Sequence, residues 1–164
     1  MKKLLPVLVM VLAFAIPLAA DDHAGCAMHA QHVDQRGDHV MGFSHEKTTH
    51  NFRLLADGGA IEARALDAND ADSIAAIRMH MKMIAQDFAS GNFDKPREIH
   101  GRVPDGVEAM KELRAAIDYR YEELEKGARV RVVANSDPAR DAVHTFLRFQ
   151  IDEHRTGDPK EVAK

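Results

Sequence analysis

Two stretches of alternating apolar and polar residues, each interrupted by a glycine-containing turn, constrain the fold of this chain most strongly. In the first, residues 52–54 and 61–65 flank an Asp-Gly-Gly turn. In the second, residues 119–124 and 128–134 flank Glu-Lys-Gly. Alternation on both sides of a short glycine turn is typical of a β-hairpin. We therefore expect two hairpins that join into one antiparallel four-stranded sheet.

Helical periodicity fills the space between the hairpins. One apolar stripe at helical spacing comprises Ile74, Ile77, Met81, Ile84 and Phe88. The N-cap candidates before it are Asp67, Asn69, Asp70 and Asp72, and Gly91 after it is a good helix terminator. Residues 92–106 are rich in turn formers and predict a loop. A second helix places Val107, Met110, Leu113 and Ile117 inward.

A third helix follows the second hairpin. Asp137 is a suitable N-cap, Pro138 fits the first helical turn, and Gly157 and Pro159 stop the helix near Thr156. The predicted order is ββααββα, with three helices packed on the sheet. This makes the domain α+β, because the strands pair locally and the helices cover one face.

Residues 1–20 have the composition of a secretory signal peptide. Lys2 and Lys3 form a basic start, an apolar run follows, and Ala-Ala at 19–20 precedes polar chain. The apolar run contains two prolines and is shorter than the about 20 residues that span a bilayer. We expect a periplasmic or secreted protein with no membrane span after cleavage. Lipid attachment at Cys26 is the alternative.

The predicted mature chain of about 144 residues is long enough for one domain with a hydrophobic core. Without the two signal lysines, 20 basic residues stand against 26 acidic ones. This balance argues against nucleic acid as a partner. A lone cysteine cannot form an internal disulfide. We divide the chain into a mostly disordered arm at 21–50, an α+β domain at 51–158 and a tail at 159–164.

The arm contains six of the ten histidines and shows no apolar periodicity. Cleavage after residue 20 would create an N-terminus of Asp21, Asp22 and His23. An amine, two backbone amides and an imidazole suit the square-planar geometry of Cu(II) or Ni(II). This start resembles the amino-terminal copper- and nickel-binding motif of serum albumins.

A second ligand cluster follows in the arm, made of Cys26, Met28, His29 and His32. Thiolate, thioether and imidazole donors together suit Cu(I), and zinc next. The second Cys/His pair of a structural zinc site is absent. A low-complexity polar arm without a metal is the alternative interpretation.

Within the domain, the candidate metal ligands are His80, His100 and His144, which His50 at the end of the arm could join. His144 and His154 share a helix face but lie about 15 Å apart along it, so only one of them can join the others at a single ion. Histidines that are hydrogen-bonded at the boundary between sheet and helices are the alternative.

Catalytic signatures are absent from the sequence. It has no glycine-rich phosphate loop, no Gly-x-Ser-x-Gly turn and no dinucleotide-binding motif. His45 and His50 are five residues apart, about 500° around a helix, and do not match the metalloprotease spacing of four. We therefore favour a non-enzymatic role and leave open a hydrolase based on a domain histidine and a carboxylate.

Two pairs of short segments carry a resemblance to a known family. They are Met-Gly-Phe-Ser-His at 41–45 with Thr-Thr-His-Asn-Phe at 48–52, and Val-His-Thr-Phe-Leu-Arg-Phe-Gln-Ile at 143–151 with His-Arg-Thr-Gly-Asp at 154–158. On these segments the chain resembles a family of small, exported, uncharacterised bacterial proteins. Such sequences are sometimes labelled aspartate carbamoyltransferase. That enzyme is about twice as long and binds carbamoyl phosphate through Ser-Thr-Arg-Thr at a helix start, which this chain lacks.

The sequence thus predicts an extracytoplasmic protein that binds a transition-metal ion, copper in preference to zinc, as a chaperone, buffer or sensor. The alternative is a non-catalytic module of the cell envelope that binds another protein and in which the histidines are incidental.

Overall fold

A computed structural model describes the backbone of residues 22–163 and the side chains of residues 28–163. The predicted signal peptide and Asp21 lie outside the described residues. Within them are four strands: β1 Thr48–Leu55, β2 Gly58–Ala65, β3 Ile117–Leu124 and β4 Gly127–Ala134. The helices are α1 Asp22–Met41, α2 Ala71–Ser90, α3 Asp94–His100, α4 Val107–Glu112 and α5 Asp137–His154.

The four strands form one antiparallel sheet in the order β1-β2-β4-β3. Each predicted hairpin is present, and the two join through the central strands, where Ile61 lies opposite Val130. The prediction of an α+β fold with a four-stranded antiparallel sheet is confirmed. Each strand has eight residues, so the paired strands match in length.

Helices α2 and α5 cover one face of the sheet and form the core with it. Ile77, Met81, Leu147 and Phe146 are almost fully buried against strand residues such as Val130. Each such side chain contributes about 1.5–3 kcal/mol by leaving water. Alternate strand residues, among them Thr49, Arg53 and Arg120, are exposed on the other face.

The prediction of three helices in the order ββααββα is wrong in its number of helices. The described residues contain five, in the order αββαααββα. Helix α3 lies within residues 92–106, where turn formers predicted a loop. It has only seven residues, with Pro96 near its start and Gly101 as its left-handed C-cap, and is too short to show an apolar period.

Helix α1 occupies much of the segment for which we predicted a mostly disordered arm. Its buried positions are Ala30, Val33, Gly37 and Met41, spaced by three and four residues. Ala30 has only a methyl side chain and Gly37 has none, so the sequence lacks a clear apolar stripe. The helix packs on α3 and α5, where Arg36 Nε donates a hydrogen bond of 2.7 Å to the Ile99 carbonyl.

Local signals fix the ends of the two long sheet-packing helices. Asp70 caps α2 by accepting from the Ser73 amide, and Gly91 ends it with a φ of 84°. For α5 the N-cap is Ser136, one residue before the predicted Asp137.

The outer edge of β1 is covered by the C-terminal segment, where the Ala163 amide donates to the Leu54 carbonyl. No described helix combines the length and apolar character needed to cross a membrane.

Candidate functional site

A small cavity of about 50 Å³ lies where the end of the sheet meets α1, α2, α3 and α5. A volume of this size holds a few water molecules or a single ion. Its apolar lining includes Phe52, Ile61, Ile84, Phe88, Ile99 and Phe146. Its remaining lining includes His50, His80, His100, His154, Gln150 and Met41. Six of the thirteen lining residues can therefore donate a nitrogen, oxygen or sulfur atom to a ligand.

Each of the four histidines comes from a different secondary-structure element. His50 lies on β1, on the strand face that also presents Phe52. His80 extends the buried α2 stripe, three residues after Ile77, while His100 ends α3 and His154 ends α5. The tertiary fold therefore brings together imidazoles that are widely separated in the sequence.

The imidazole rings contact one another directly. The rings of His50 and His154 are stacked, with centroids 5.6 Å apart. The ring of His100 meets His154 edge-on at 5.0 Å. Phe43 links the fourth histidine to this group, because its ring stacks on His50 at 5.7 Å and meets His80 edge-on at 5.6 Å.

Three buried polar atoms at the cavity have no hydrogen-bond partner among the described residues: His80 Nδ1, His100 Nδ1 and Gln150 Nε2. Their residues are no more than 5% exposed. An unsatisfied buried polar group costs about 1–3 kcal/mol. Hydrogen bonds among the described residues therefore leave polar atoms at this cavity unpaired.

Burial keeps the cavity histidines neutral. It lowers the pKa of His50 to about 4 and that of His80 to about 3, the latter aided by the nearby His50. Burial also lowers the pKa of His154 and of His100, although Gln150 and Glu153 oppose the shift at His100. A neutral imidazole has one nitrogen lone pair, so each ring can serve as a ligand to a cation at neutral pH.

One carboxylate lies just outside the cavity. Glu153 Oε2 accepts a hydrogen bond of 2.8 Å from His29 Nε2 and lies 3.5 Å from His100 Nδ1. Its Oε1 accepts from Arg102 at 3.3 Å. Burial opposes ionisation of Glu153, but the hydrogen bonds from His29 and Arg102 outweigh it and lower the pKa of the carboxyl.

The predicted ligands His50, His80 and His100 meet at the cavity, whereas His144 does not join them. His144 Nε2 donates to the carbonyls of Leu55 and Gly58, both at 2.9 Å. A carbonyl can only accept, so this nitrogen is protonated and its role at the β1–β2 turn is structural. The histidine of α5 that reaches the cavity is His154.

The predicted ligands of the arm lie on α1. Met28, His29 and His32 are exposed, and His29 reaches Glu153. The backbones of Asp22, His23 and Cys26 belong to the same helix, and their side chains are outside the described part. Met41 was missed as a cavity residue, although its position at the last turn of α1 follows from its spacing to Val33 and Gly37.

The side chains as they stand do not form a finished metal site. Among residues 28–163, no group of three or more histidine, cysteine, aspartate or glutamate donors is arranged to hold an ion. The stacking of His50 on His154 explains part of this, because parallel rings do not direct their nitrogen lone pairs at one point. Rotation about the ring torsions, which are broad for histidine, would be needed to form such a site.

Comparison with protein-family models, with curated proteins and with solved structures finds no match to this chain. The assignment of a function therefore depends on the chemistry of the cavity and of the residues around it.

Proposed function

We propose that this chain is an extracytoplasmic metal-binding protein that holds a copper(I) ion among His50, His80, His100 and His154 and acts as a copper chaperone, buffer or sensor. The observation that supports this proposal is the convergence of four neutral imidazoles on one apolar cavity. A purely structural role would be expected to pair their nitrogens with hydrogen-bond partners, and His80 Nδ1 has none among the described residues.

The charge of the surroundings favours a monovalent ion. Among the residues whose side chains the structure describes, no carboxylate lines the cavity. The cost of transferring an ion from water into an apolar medium rises with the square of its charge, so a divalent ion costs about four times as much as a monovalent one. The described apolar lining therefore favours copper(I) over zinc on the cost of burying charge.

Ligand softness favours copper(I) over other monovalent ions. Imidazole nitrogen and thioether sulfur are ligands that suit copper, and Met41 adds a thioether to the lining. Alkali cations prefer oxygen donors, and the described lining offers chiefly the side-chain oxygen of Gln150. Binding requires the His50 and His154 rings to unstack, which exchanges a ring contact for metal–nitrogen bonds.

Competitive titration tests the proposal. The purified mature protein is titrated without oxygen with Cu(I), using a coloured bicinchoninate chelator as competitor, and separately with Zn(II). We expect one Cu(I) per chain and weaker binding of Zn(II). His80→Gln and His154→Gln each remove a cavity ligand and should weaken Cu(I) binding at least about tenfold.

His39→Ala is the matched control, because His39 is exposed on α1 and lies outside the cavity lining. It should bind as the unaltered protein does. Circular dichroism of every variant separates lost ligands from lost folding. Affinity in the millimolar range, or equal affinity in folded His80→Gln and His39→Ala, would refute the proposed function.

A second candidate function, a protein-binding module of the cell envelope, is favoured by strand β3. It is an outer strand of the sheet, whereas the opposite edge at β1 is covered by the C-terminal segment. An uncovered edge strand offers backbone groups to a partner's strand. Cross-linking in the native envelope tests this, and alanine replacement of the cavity histidines should leave any cross-link intact.

A further inference from the structure

We propose that a second copy of this chain pairs with the open edge of the sheet, so that two β3 strands lie antiparallel and two four-stranded sheets become one continuous sheet. Strand β3 is an outer strand that pairs on one side only, with β4. Among the described residues, no backbone-to-backbone hydrogen bond joins residues 118–124 to a segment outside the sheet. The pairing does not require copper, and it assigns one occupant, the same chain, to this edge.

The β3–β4 turn determines which backbone groups of β3 point outward. Leu124 pairs with Gly127 across a two-residue turn, and the residues that flank such a turn exchange hydrogen bonds with each other. Bonded and non-bonded pairs then alternate along the ladder. The Asn135 amide, which donates to the Ala116 carbonyl at 2.8 Å, has the same parity. The backbone groups that point away from β4, towards the open side, are those of Tyr119, Tyr121 and Glu123.

Charged side chains on the uncovered face of β3 alternate in sign and favour one register. They are those of Asp118, Arg120 and Glu122. When Tyr121 lies opposite Tyr121 of the second copy, Arg120 lies opposite Glu122 of that copy, and the two-fold symmetry repeats this contact. Opposite charges directly across an antiparallel pair stabilise it. Residues 118–124 of the two copies overlap in this register, so the strand is complementary to itself along most of its length.

The other registers that preserve the backbone hydrogen bonds are less favourable. A register centred on Arg120 places two guanidinium groups opposite each other and Asp118 opposite Glu122. A register centred on Glu122 places two carboxylates opposite each other. Like charges in such positions destabilise a strand pair. A register centred on Tyr119 pairs opposite charges but overlaps only residues 117–121.

The two charged groups of the proposed contact are available to a second copy. The side chain of Arg120 is 64% exposed, and its contact with Asp118 is long, at 3.9 Å. Glu122 accepts hydrogen bonds from Arg129 on Oε2. Its Oε1 can therefore accept from the guanidinium of the second copy while the bond to Arg129 is kept.

Strand β3 also lacks the features that natural sheets use to block pairing at an edge. It has eight residues, none of them proline or lysine, and it pairs with β4 residue for residue, without a bulge. Open edges that avoid pairing are typically shortened, bulged or supplied with such residues. At the opposite edge the Ala163 amide donates to the Leu54 carbonyl of β1. The chain thus covers one edge itself and leaves the other available.

Analytical ultracentrifugation of the full mature protein tests the pairing. An interface formed by one strand from each copy is smaller than a standard protein interface, so we expect a reversible monomer–dimer equilibrium over about 1–500 µM. Arg120→Glu and Glu122→Arg each place like charges opposite one another in the proposed register. Each should weaken the dimer at least about tenfold.

A mixture of the two charge-reversed variants identifies the register. In the mixed dimer each residue at position 120 again lies opposite a residue of opposite charge at position 122, so Arg120→Glu and Glu122→Arg should associate with each other as the unaltered chains do. Arg53→Glu is the matched control, because Arg53 is exposed on the same face but lies on β1. It should dimerise normally. Circular dichroism establishes that every variant is folded.

Each other outcome contradicts the self-pairing. A protein that stays monomeric up to about 500 µM, or folded Arg120→Glu that dimerises as well as Arg53→Glu, would overturn it. Failure of the two folded charge-reversed variants to associate would overturn the register. A monomeric protein whose β3 cross-links to another envelope protein would assign the edge to the second candidate function instead.

Discussion

The imidazole rings of His50 and His154 lie nearly parallel, with centroids 5.6 Å apart and planes inclined by 16°. Burial lowers the pKa of both, and a charged His50 lowers the pKa of His154 further. The pair is therefore compatible with the folded state when both rings are neutral. Protonation of both would place two positive charges in contact within an apolar cavity.

Acid should destabilise this protein before its carboxylates are titrated. The folded-state pKa of His50, about 4, and of His80, about 3, lie below the ordinary value of about 6.5. Between the folded-state and unfolded-state pKa values, the unfolded chain binds more protons than the folded protein. The contribution of these neutral rings to the unfolding free energy is therefore fully present above about pH 6.5 and is lost as the pH falls below it. Each such ring removes up to about 1.4 kcal/mol of unfolding free energy per pH unit.

Urea denaturation at pH 7.0, 6.0 and 5.0 measures this loss. His154→Phe keeps an aromatic ring beside His50 but removes one titrating group, so its stability should fall less steeply with pH. Identical slopes for the two proteins would show that the ring does not titrate on unfolding.

His144→Ala should reduce the stability of the fold without affecting copper binding. It removes the donor that serves both the Leu55 and Gly58 carbonyls at the β1–β2 turn. We expect a loss of about 1–3 kcal/mol in unfolding free energy. The adjacent Thr145→Ala, at an exposed position, should change it by less than about 0.5 kcal/mol. A lowered copper stoichiometry in folded His144→Ala would contradict this assignment.

The sheet and its hairpins follow from local sequence, and the histidine cavity does not. Alternation and glycine turns specify β1–β2 and β3–β4 because strand pairing across a short turn depends on neighbouring residues. Asp70 and Gly91 mark the ends of α2 for the same reason. Helix α1 has no such signal, since its buried face is narrow and includes Ala30 and Gly37.

The choice between His144 and His154 shows where sequence reasoning stops. Both lie on one face of α5, and periodicity treats them alike. Their surroundings differ along the helix. His144 lies beside the β1–β2 turn, whereas His154, the last residue of α5, contacts His50 and His100. Only the path of the chain in three dimensions decides which histidine meets the others.

Gly127→Ala should be among the most damaging single substitutions in the domain. A Cβ at this position would lie 2.1 Å from the Ala63 carbonyl oxygen on the paired strand. Backbone on a central strand cannot move aside cheaply, so we expect a loss of about 3 kcal/mol or more. At Gly91 a Cβ meets nothing within 4 Å, and only the positive φ opposes alanine, at about 1 kcal/mol. Thermal unfolding of the two variants compares them, and equal losses would contradict the predicted clash.

Copper(I) affinity at the cavity should depend little on pH down to about 5. A ligand with an ordinary pKa near 6.5 must lose a proton to bind below that value, which weakens binding by up to tenfold per pH unit. Burial has already removed this competition at His50 and His80, because their pKa values of about 4 and about 3 keep them neutral at pH 5. Competitive titration at pH 7.0, 6.0 and 5.0, corrected for the protonation of the chelator, measures the dependence. A variant with His23, His29 and His32 replaced by alanine removes binding by the arm from the result. A tenfold loss for each pH unit in that variant would place the ion on exposed histidines and not on the buried ones.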